Sequence, residues 1–266
     1  MIKISSACKA CNRCRHFRVN AGPGEYVIAL MGNPNTGKST VFNALTGLRQ
    51  HTGNWPGKTV LRAEGIYYFH HRKYILIDLP GTYSLMATSV DEQTARDFLC
   101  LGQPDATIVV IDATCLERNL NLVLQVLEIT PRIVVAVNLI DEAERKRIRI
   151  DCRKLSKELG VPVVPIVARE GRGIDNLKKA TEDLVTSRIS TSPRRVRYDE
   201  DIEETLSTLE IKLKDILPSH FNPRWVALRL IEGDPFIYNT LAFCLAGNNN
   251  SNNGEVKNSA HRDHSK

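Results

Sequence analysis

The order of apolar and polar positions divides the chain into a strand-and-helix part and a later helical part. Six short apolar runs, rich in β-branched residues, have the length of buried strands: 26–31, 62–69, 73–78, 106–112, 132–138 and 162–166. Five segments with helical spacing alternate with them: 39–45, 90–99, 117–129, 152–159 and 174–187. This alternation predicts an α/β fold with a mostly parallel sheet that helices cover on both faces.

After Ser190 the alternation stops and one apolar helical stripe follows. The residues of this stripe are spaced by three or four positions: Ile202, Leu206, Leu209, Leu213 and Leu217. A second helix is predicted at 224–231, and a third begins near Pro235. We therefore divide the chain into a Cys-rich extension (1–24), an α/β domain (25–190), a helical subdomain (191–246) and a tail (247–266). The tail is rich in Asn, Ser and Gly, so we expect it to be disordered.

Composition and charge exclude several classes of protein. The net charge of +6 is mild and sits in local runs such as 145–147, so it does not call for a nucleic-acid partner. No run approaches the roughly 18 apolar residues of a membrane-spanning helix, and the N-terminus lacks an apolar export signal. Seven cysteines without such a signal indicate a reducing compartment. We expect a soluble, cytoplasmic chain.

The strongest chemical signal is residues 32–39, which form a G-x-x-x-x-G-K-S motif between a predicted strand and a predicted helix. Backbone N–H groups of such a loop point at phosphates. Lys38 is expected to reach the β- and γ-phosphates, and the Ser39 hydroxyl to ligate Mg²⁺. The candidate phosphate-binding residues are Gly32, Asn33, Pro34, Asn35, Thr36, Gly37, Lys38, Ser39 and Thr40.

Three further elements follow in the order that a guanine-nucleotide site requires. Asp78 and Gly81 end an apolar strand, where Asp78 can hold Mg²⁺ through water and the Gly81 N–H can face the γ-phosphate. Asn138, Leu139 and Asp141 follow another strand, and the Asp141 carboxylate can accept the N1–H and N2 donors of guanine, a pair that adenine lacks. The last predicted strand leads to Val167, Ala168 and Arg169, where the Ala168 N–H can meet guanine O6. Together these elements predict a GTP-binding core.

These residues resemble the G1, G3, G4 and G5 boxes of the translation-factor-related GTPases. Leu139 stands where many members carry Lys, and Val167 where Ser is common. Leucine supplies apolar cover for the base, so we expect modest nucleotide affinity with guanine specificity retained.

Residues 53–60, which read Gly-Asn-Trp-Pro-Gly-Lys-Thr-Val, resemble switch I of the FeoB family of bacterial ferrous-iron transporters. The resemblance continues through 78–85 and 224–234, so it covers about residues 26–240. It implies a GTPase domain that regulates ferrous-iron transport, with Thr59 contacting Mg²⁺ and the γ-phosphate. It also implies a membrane-spanning region continuous with this domain, a small cytoplasmic accessory protein, and a place at the cytoplasmic face of the bacterial inner membrane.

The resemblance also bears on mechanism. Thr82 stands where Ras-like enzymes carry the water-orienting glutamine and is too short for that task. Asn35 matches the asparagine that ligates K⁺ in potassium-activated members, where a cation adds charge stabilisation without an arginine finger. The alternative is that Asn35 only stabilises its loop. The expected catalytic set is Asn35, Lys38, Thr59 and Gly81, with slow intrinsic turnover.

The helical subdomain has two interpretations. By resemblance, it relays the switch state towards the membrane pore and slows GDP release; from the sequence alone, its apolar stripe is explained equally by packing on the G domain.

The N-terminal extension carries Cys8, Cys11 and Cys14 at three-residue spacing, followed by His16. Thiolates at this spacing can converge on a zinc ion or an iron–sulfur cluster; the alternative is an unstructured, redox-active tail. Elsewhere, Trp55 is expected to be an exposed switch residue and Trp225 a core anchor, with a hairpin turn at 70–71. We expect the remaining cysteines to be buried or half-buried thiols: Cys100, Cys115, Cys152 and Cys244.

Two other functions remain open. A free-standing GTPase acting on ribosomes or tRNA would have similar G boxes, but residues 191–246 lack the basic, aromatic surface of an RNA-binding module, so we expect no nucleic-acid partner. A metal sensor built on the cysteine cluster is the other.

Overall fold

A computed structural model describes residues 17–48, 50–55, 60–86 and 89–249. Thr59 and the cysteine cluster at positions 8, 11 and 14 therefore lie outside the described residues. The described chain forms two compact units, one ending at Asp199 and the other beginning at Glu200. The domain boundaries drawn from the sequence stay predictions.

Within the described part of the first unit, seven strands form one sheet: β1 Glu25–Gly32, β2 Gln50–Asn54, β3 Leu61–Phe69, β4 Arg72–Asp78, β5 Ala106–Asp112, β6 Ile133–Asn138 and β7 Val163–Pro165. Their spatial order is β2-β3-β4-β1-β5-β6-β7. The pairs from β4 to β7 are parallel, whereas β2 and β3 pair antiparallel with their neighbours. The predicted α/β fold is confirmed. Strand β2 was not predicted, because Gln-His-Thr-Gly-Asn has no apolar period.

The described helices of the first unit are α1 Lys38–Thr46, α2 Val90–Asp97, α3 Leu116–Ile129, α4 Ile140–Arg145, α5 Cys152–Leu159 and α6 Ile174–Val185. Helix α2 begins at an N-cap, where the Ser89 side chain accepts the Glu92 N–H at 3.1 Å, and it continues into a π-helical turn, Phe98–Gly102. Helix α4 was not predicted, because its six residues are too few to show a helical period.

The core of this unit lies on both faces of the sheet. Ile28 and Leu30 of β1 share one cluster with Phe42 of α1 and Leu177 of α6. Because successive strand residues point to opposite faces, positions such as Ala29 face the other side, where α3 packs against β5 and β6. Strands buried on both faces read as continuous apolar runs, which explains why the central strands were easy to recognise.

The second unit consists, in its described residues, of α7 Glu200–Lys214, α8 Pro223–Ile231 and α9 Pro235–Asn249. Leu206 and Leu213 of the predicted stripe are buried, and Trp225 is buried as expected. Arg224 forms two bonds of 2.7 and 3.0 Å with the Glu203 carboxylate, which joins α8 to α7. Helix α9 continues past Gly247, where the sequence predicted the disordered tail to begin.

Among the described helices, we find none with both the length and the apolar character that crossing a bilayer requires.

Two expectations about side-chain exposure are wrong. Trp55 is only 1% exposed, because Phe17 and Phe98 pack against its ring at centroid distances of 5.8 and 5.2 Å. Its burial depends on a residue that precedes the first strand, a contact that no local pattern reveals. Cys115 is exposed, whereas Cys100 is buried and Cys152 half-buried; Cys115 ends a short 3₁₀ turn that precedes α3 rather than lying on a buried helical face.

Candidate nucleotide site

The predicted motifs meet at the carboxyl ends of the parallel strands. The loop of residues 32–37 follows β1, Asp78 ends β4, and Asn138 ends β6. Strand β1 lies between β4 and β5, with Leu30 in register with Asp78. In doubly wound sheets the crevice at this edge is where ligands bind, at the point where the strand order reverses.

The backbone of the phosphate loop requires two of its glycines. Gly37 has a φ of 79°, in the left-handed region that favours glycine, and a Cβ there would collide with the side-chain amide of Asn138. A Cβ on Gly32 would collide with the carbonyl oxygen of Val110. Asn35 has a φ of 66° at the exposed apex of the loop, a conformation that Asn tolerates better than most residues.

The two asparagines of this loop lie in different environments. Asn33 is 2% exposed, and neither polar atom of its side chain has a hydrogen-bond partner within the described structure. The Asn33 carbonyl accepts from the Thr36 hydroxyl at 2.9 Å, which closes the turn of the loop. Asn35, in contrast, is an exposed residue.

Lys38 and Asp78 form a direct ion pair across the site. Burial raises the pKa of Asp78 above its usual value, and the positive charge of Lys38 opposes that rise. Ser39 and Thr40, in the first turn of α1, are exposed beside them. A carboxylate and a hydroxyl at this edge are hard oxygen ligands of the kind that Mg²⁺ prefers, so these residues fit that ion.

Asn138 connects three of the predicted elements. Its side chain is buried, donating to the Thr36 carbonyl at 2.9 Å and accepting the Ala168 N–H at 3.1 Å. One amide therefore joins the phosphate loop to the loops that follow β6 and β7. The sequence analysis placed Asn138 in the site but did not recognise it as this brace. Because the Ala168 N–H already has a protein partner, its contact with guanine O6 stays a prediction.

Asp141 lies at the start of α4 with its side chain 13% exposed. Its Oδ2 accepts from Arg169 at 2.6 Å and from Arg145 at 3.1 Å. Its Oδ1 is buried and has no hydrogen-bond partner in the described structure. Leu139, which precedes α4, has a left-handed φ of 62°. Arg145 is a residue that the sequence analysis missed, since its role depends on the short helix that was not predicted.

Val167 and Ala168 form the buried end of this loop. They are 1% and 5% exposed, and the Val167 N–H donates to the Arg172 carbonyl at 2.9 Å.

The turn after β4 is held by contacts that the sequence did not reveal. The Thr82 hydroxyl donates to the Ser84 carbonyl at 2.7 Å, and the Thr82 N–H donates to the Gly32 carbonyl at 3.2 Å. The Leu85 N–H donates to the Gln125 side chain of α3 at 2.7 Å. A Cβ on Gly81 would meet Pro34 of the phosphate loop at ordinary van der Waals distance. The side chain of Thr82 is therefore occupied within its own turn.

Some of the predicted metal ligands lie in the described residues and others do not. In the described ranges, no three His, Cys, Asp or Glu side chains gather into a group that could hold a metal ion. Thr59, Cys8, Cys11 and Cys14 stay predictions because they lie outside those ranges.

Comparisons with known proteins bear on both units. A family model described as ferrous iron transport protein B matches residues 26–181, and one described as the FeoB cytosolic helical domain matches residues 198–264. The Fe(2+) transporters FeoB of Salmonella typhimurium strain LT2 and Escherichia coli strain K12 are each 43% identical over 211 residues. The match covers 78% of this chain and 27% of each transporter, so the chain spans about a quarter of the length of these relatives.

Solved structures agree with this relationship. The cytosolic domain of T. maritima FeoB in a GDP form is 38% identical, with a TM-score of 0.76 over 83% of this chain and 85% of that chain. Its GMPPNP form is 37% identical, with a TM-score of 0.75 over 82% and 86% of the two chains. The cytosolic domain of L. pneumophila FeoB is 37% identical, with a TM-score of 0.74 over 86% and 90%. The resemblance seen in residues 53–60 is confirmed: the chain belongs to the FeoB family of ferrous iron transport proteins and corresponds to its GTPase-fold domain followed by its cytosolic helical domain.

Proposed function

We propose that this chain binds GTP and hydrolyses it slowly to GDP and phosphate, and that this cycle regulates ferrous-iron transport. The observation that carries the proposal is the side chain of Asn138, which joins the phosphate loop to the base-recognition loops by two bonds, of 2.9 and 3.1 Å. A brace of this kind holds the phosphate end and the base end of one nucleotide at a fixed separation. The matched T. maritima domain has been solved in forms named for GDP and GMPPNP.

The phosphate end of the proposed site consists of the loop N–H groups, Lys38 and the first turn of α1. Lys38 would exchange its ion pair with Asp78 for the β- and γ-phosphates, because the triphosphate carries more negative charge than a single carboxylate. Ser39, Asp78 and Thr59 would hold Mg²⁺, which when bound neutralises the charge that develops on the phosphate oxygens. The exchange would break the ion pair between Lys38 and Asp78, which would free the Asp78 carboxylate to hold Mg²⁺.

The base end consists of Asp141 with its apolar neighbours. Its buried Oδ1 is an acceptor without a hydrogen-bond partner among the described residues, and such an atom costs about 1–3 kcal/mol of desolvation until a donor reaches it. Guanine supplies donors at N1 and N2, whereas adenine presents no such pair. Leu139, which is half-buried, would contribute apolar cover for the base.

The Thr82 hydroxyl donates to the Ser84 carbonyl, so it is not available to position the attacking water. Another group must therefore position that water and stabilise the charge on the phosphates. We propose that Asn35 ligates K⁺ beside the phosphates, since its amide is exposed at the apex of the loop. Gly81, which follows β4 on the side of the phosphate loop, would direct its N–H at the γ-phosphate.

In the whole protein, we propose that this domain lies at the cytoplasmic face of the bacterial inner membrane. There it would be continuous with a membrane-spanning region, and a small cytoplasmic accessory protein would be a partner. The Cys8, Cys11 and Cys14 cluster is proposed as a zinc or iron–sulfur site, which metal analysis of the unmodified chain and of a triple serine variant would test.

The test of the main proposal is GTP turnover in KCl and in NaCl at equal ionic strength, with ATP as the control nucleotide. Turnover that rises in KCl and is absent with ATP is the expected result. Equal slow rates in both salts would remove the K⁺ part alone. Equal use of ATP would overturn the role of Asp141.

A second arm uses Asp141→Asn with xanthosine triphosphate, whose base has an acceptor in place of the N2 donor. We expect the variant to lose GTP binding and to gain binding of the xanthosine nucleotide. Unchanged preference for GTP would show that another group reads the base.

A further inference from the structure

The carboxylate proposed to read guanine is already paired within the chain. Asp141 Oδ2 accepts two guanidinium N–H groups, from Arg169 at 2.6 Å and from Arg145 at 3.1 Å. Asp141 Oδ1 is buried and has no partner within the described structure. One oxygen of the Asp141 carboxylate therefore has two hydrogen-bond donors, whereas the other has none in the described structure.

Guanine makes this asymmetry significant. Its N1–H and N2 donors lie side by side, so they engage both oxygens of a carboxylate together. Each carboxylate oxygen has about two lone-pair positions, and on Oδ2 the two arginines fill both. The donor that approaches Oδ2 must therefore replace one guanidinium.

Of the two arginines, Arg169 is the one better placed to leave Asp141. Arg145 lies four residues after Asp141 on the same helix, so the helix itself keeps its side chain next to Oδ2. Arg145 also pairs with Glu142, one residue after Asp141. Arg169 reaches Asp141 from the loop after β7, and its guanidinium is 3.6 Å from another carboxylate, that of Glu170. Its side chain is 55% exposed, so water receives it when it leaves Asp141.

We propose that Arg169 competes with guanine for Asp141, so that each binding event breaks the Arg169–Asp141 ion pair and each GDP release reforms it. This inference rests on the proposed function. It assigns Arg169 an ion pair within the chain that weakens nucleotide binding, rather than a simple contact with the nucleotide. Modest affinity and ready GDP release follow from it.

The test measures the affinity and dissociation rate of a fluorescent GDP analogue on Arg169→Met, which keeps an apolar stem and removes the charge. We expect binding to tighten and dissociation to slow by roughly two- to fivefold, the size of a partly exposed ion pair. Arg172→Met is the matched control: Arg172 is in the same loop, is 53% exposed, and lies 3.8 Å from Glu144 rather than on Asp141. It should leave both constants unchanged.

A double-variant arm isolates the pairing. In an Asp141→Asn background, measured with xanthosine diphosphate, the carboxylate is gone and Arg169→Met should have no effect. A comparable effect in that background would assign the change to general charge and overturn the proposal.

The remaining outcomes are distinct. Weaker or unchanged GDP binding in Arg169→Met, with normal binding by the unmodified chain, would overturn this inference alone. Absence of guanine-nucleotide binding by the unmodified chain would overturn the proposed function and this inference with it.

Discussion

Glu182, on α6, is a fully buried carboxylate outside the G boxes, and its contacts give a sharp test of the fold. Its Oε2 lies 2.8 Å from His70 Nδ1 and its Oε1 lies 2.7 Å from Arg72 Nη1. Arg188 approaches Oε2 at 3.5 Å. These contacts tie the hairpin turn between β3 and β4 to α6. The turn was predicted from the sequence, and both of its residues, His70 and His71, have positive φ values.

The cluster predicts a pH-dependent loss of stability when Glu182 is replaced by Gln. The hydrogen bond from His70 and then that from Arg72 hold the pKa of Glu182 below its usual value of 4.5. A depressed pKa in the folded state means that the ionised form stabilises the fold above pH 4.5. That stabilisation is lost as the pH falls below 4.5 through the folded-state pKa.

The expected magnitude follows from the exposure of the partners. A hydrogen bond to a charged group contributes about 1.5–3 kcal/mol, but the side chains of His70 and Arg72 are 61% and 35% exposed, so solvent screens both pairs. We therefore expect Glu182→Gln to lower the free energy of unfolding by about 1–2 kcal/mol at pH 7, with the difference shrinking below pH 4.5.

Urea denaturation followed by circular dichroism at pH 7, 5, 4 and 3 measures this difference. Asp183→Asn is the control, because Asp183 is the next residue of α6 and pairs only with exposed Lys179 and Arg188 groups in the described structure. It should change stability by less than about 0.5 kcal/mol. A Glu182→Gln effect that is equal at pH 7 and pH 3, or no larger than that of Asp183→Asn, would refute the reasoning.

Two further predictions concern the Asn138 brace and the packing of Trp55. Asn138→Ala should weaken GDP binding at least about tenfold and lower the free energy of unfolding by roughly 2–4 kcal/mol, because it leaves the Thr36 carbonyl and the Ala168 N–H buried without their partner. Nucleotide titration and thermal unfolding measure the two effects. Unchanged affinity would contradict the role of Asn138 as a brace. Phe17→Ala, made in a Trp225→Phe background so that Trp55 is the only tryptophan, should shift the Trp55 emission to longer wavelength, because it opens one side of a ring that is 1% exposed. An unshifted spectrum would mean that Phe98 alone keeps the ring dry.

The fold could be predicted from the sequence because its central strands and long helices each carry a local signal. Strands β1, β5 and β6 are buried on both faces, and α3 shows a full helical stripe. Strand β2 and helix α4 could not be predicted, since both are short and most of their residues are polar. Strand β2 forms because its backbone pairs with β3, and α4 forms where the chain leaves β6 and contacts the 3₁₀ turn at Ala113–Cys115. A pattern within one short segment does not show such pairings.

The site divides in the same way. The residue types and their spacing predicted the phosphate loop, Asp78, Asn138 and Asp141, because each occupies a fixed position after a strand. The partners of these side chains could not be predicted: Asn138 reaches across 102 positions to Thr36, and Arg169 reaches across 28 positions to Asp141. The burial of Trp55 against Phe17 belongs to the same class.

The two ends of the site also differ in how firmly they are held, and this difference bears on function. At the phosphate end, the loop conformation depends on buried backbone and on the Asn138 amide, which are shielded from solvent. At the base end, Asp141 is held by two guanidinium groups that are 59% and 55% exposed. Exposed ion pairs are weak and depend on salt, whereas buried hydrogen bonds are costly to break. We therefore expect substitution of the exposed arginines at the base end to tune the lifetime of bound nucleotide, and substitution of the buried groups at the phosphate end to weaken binding strongly.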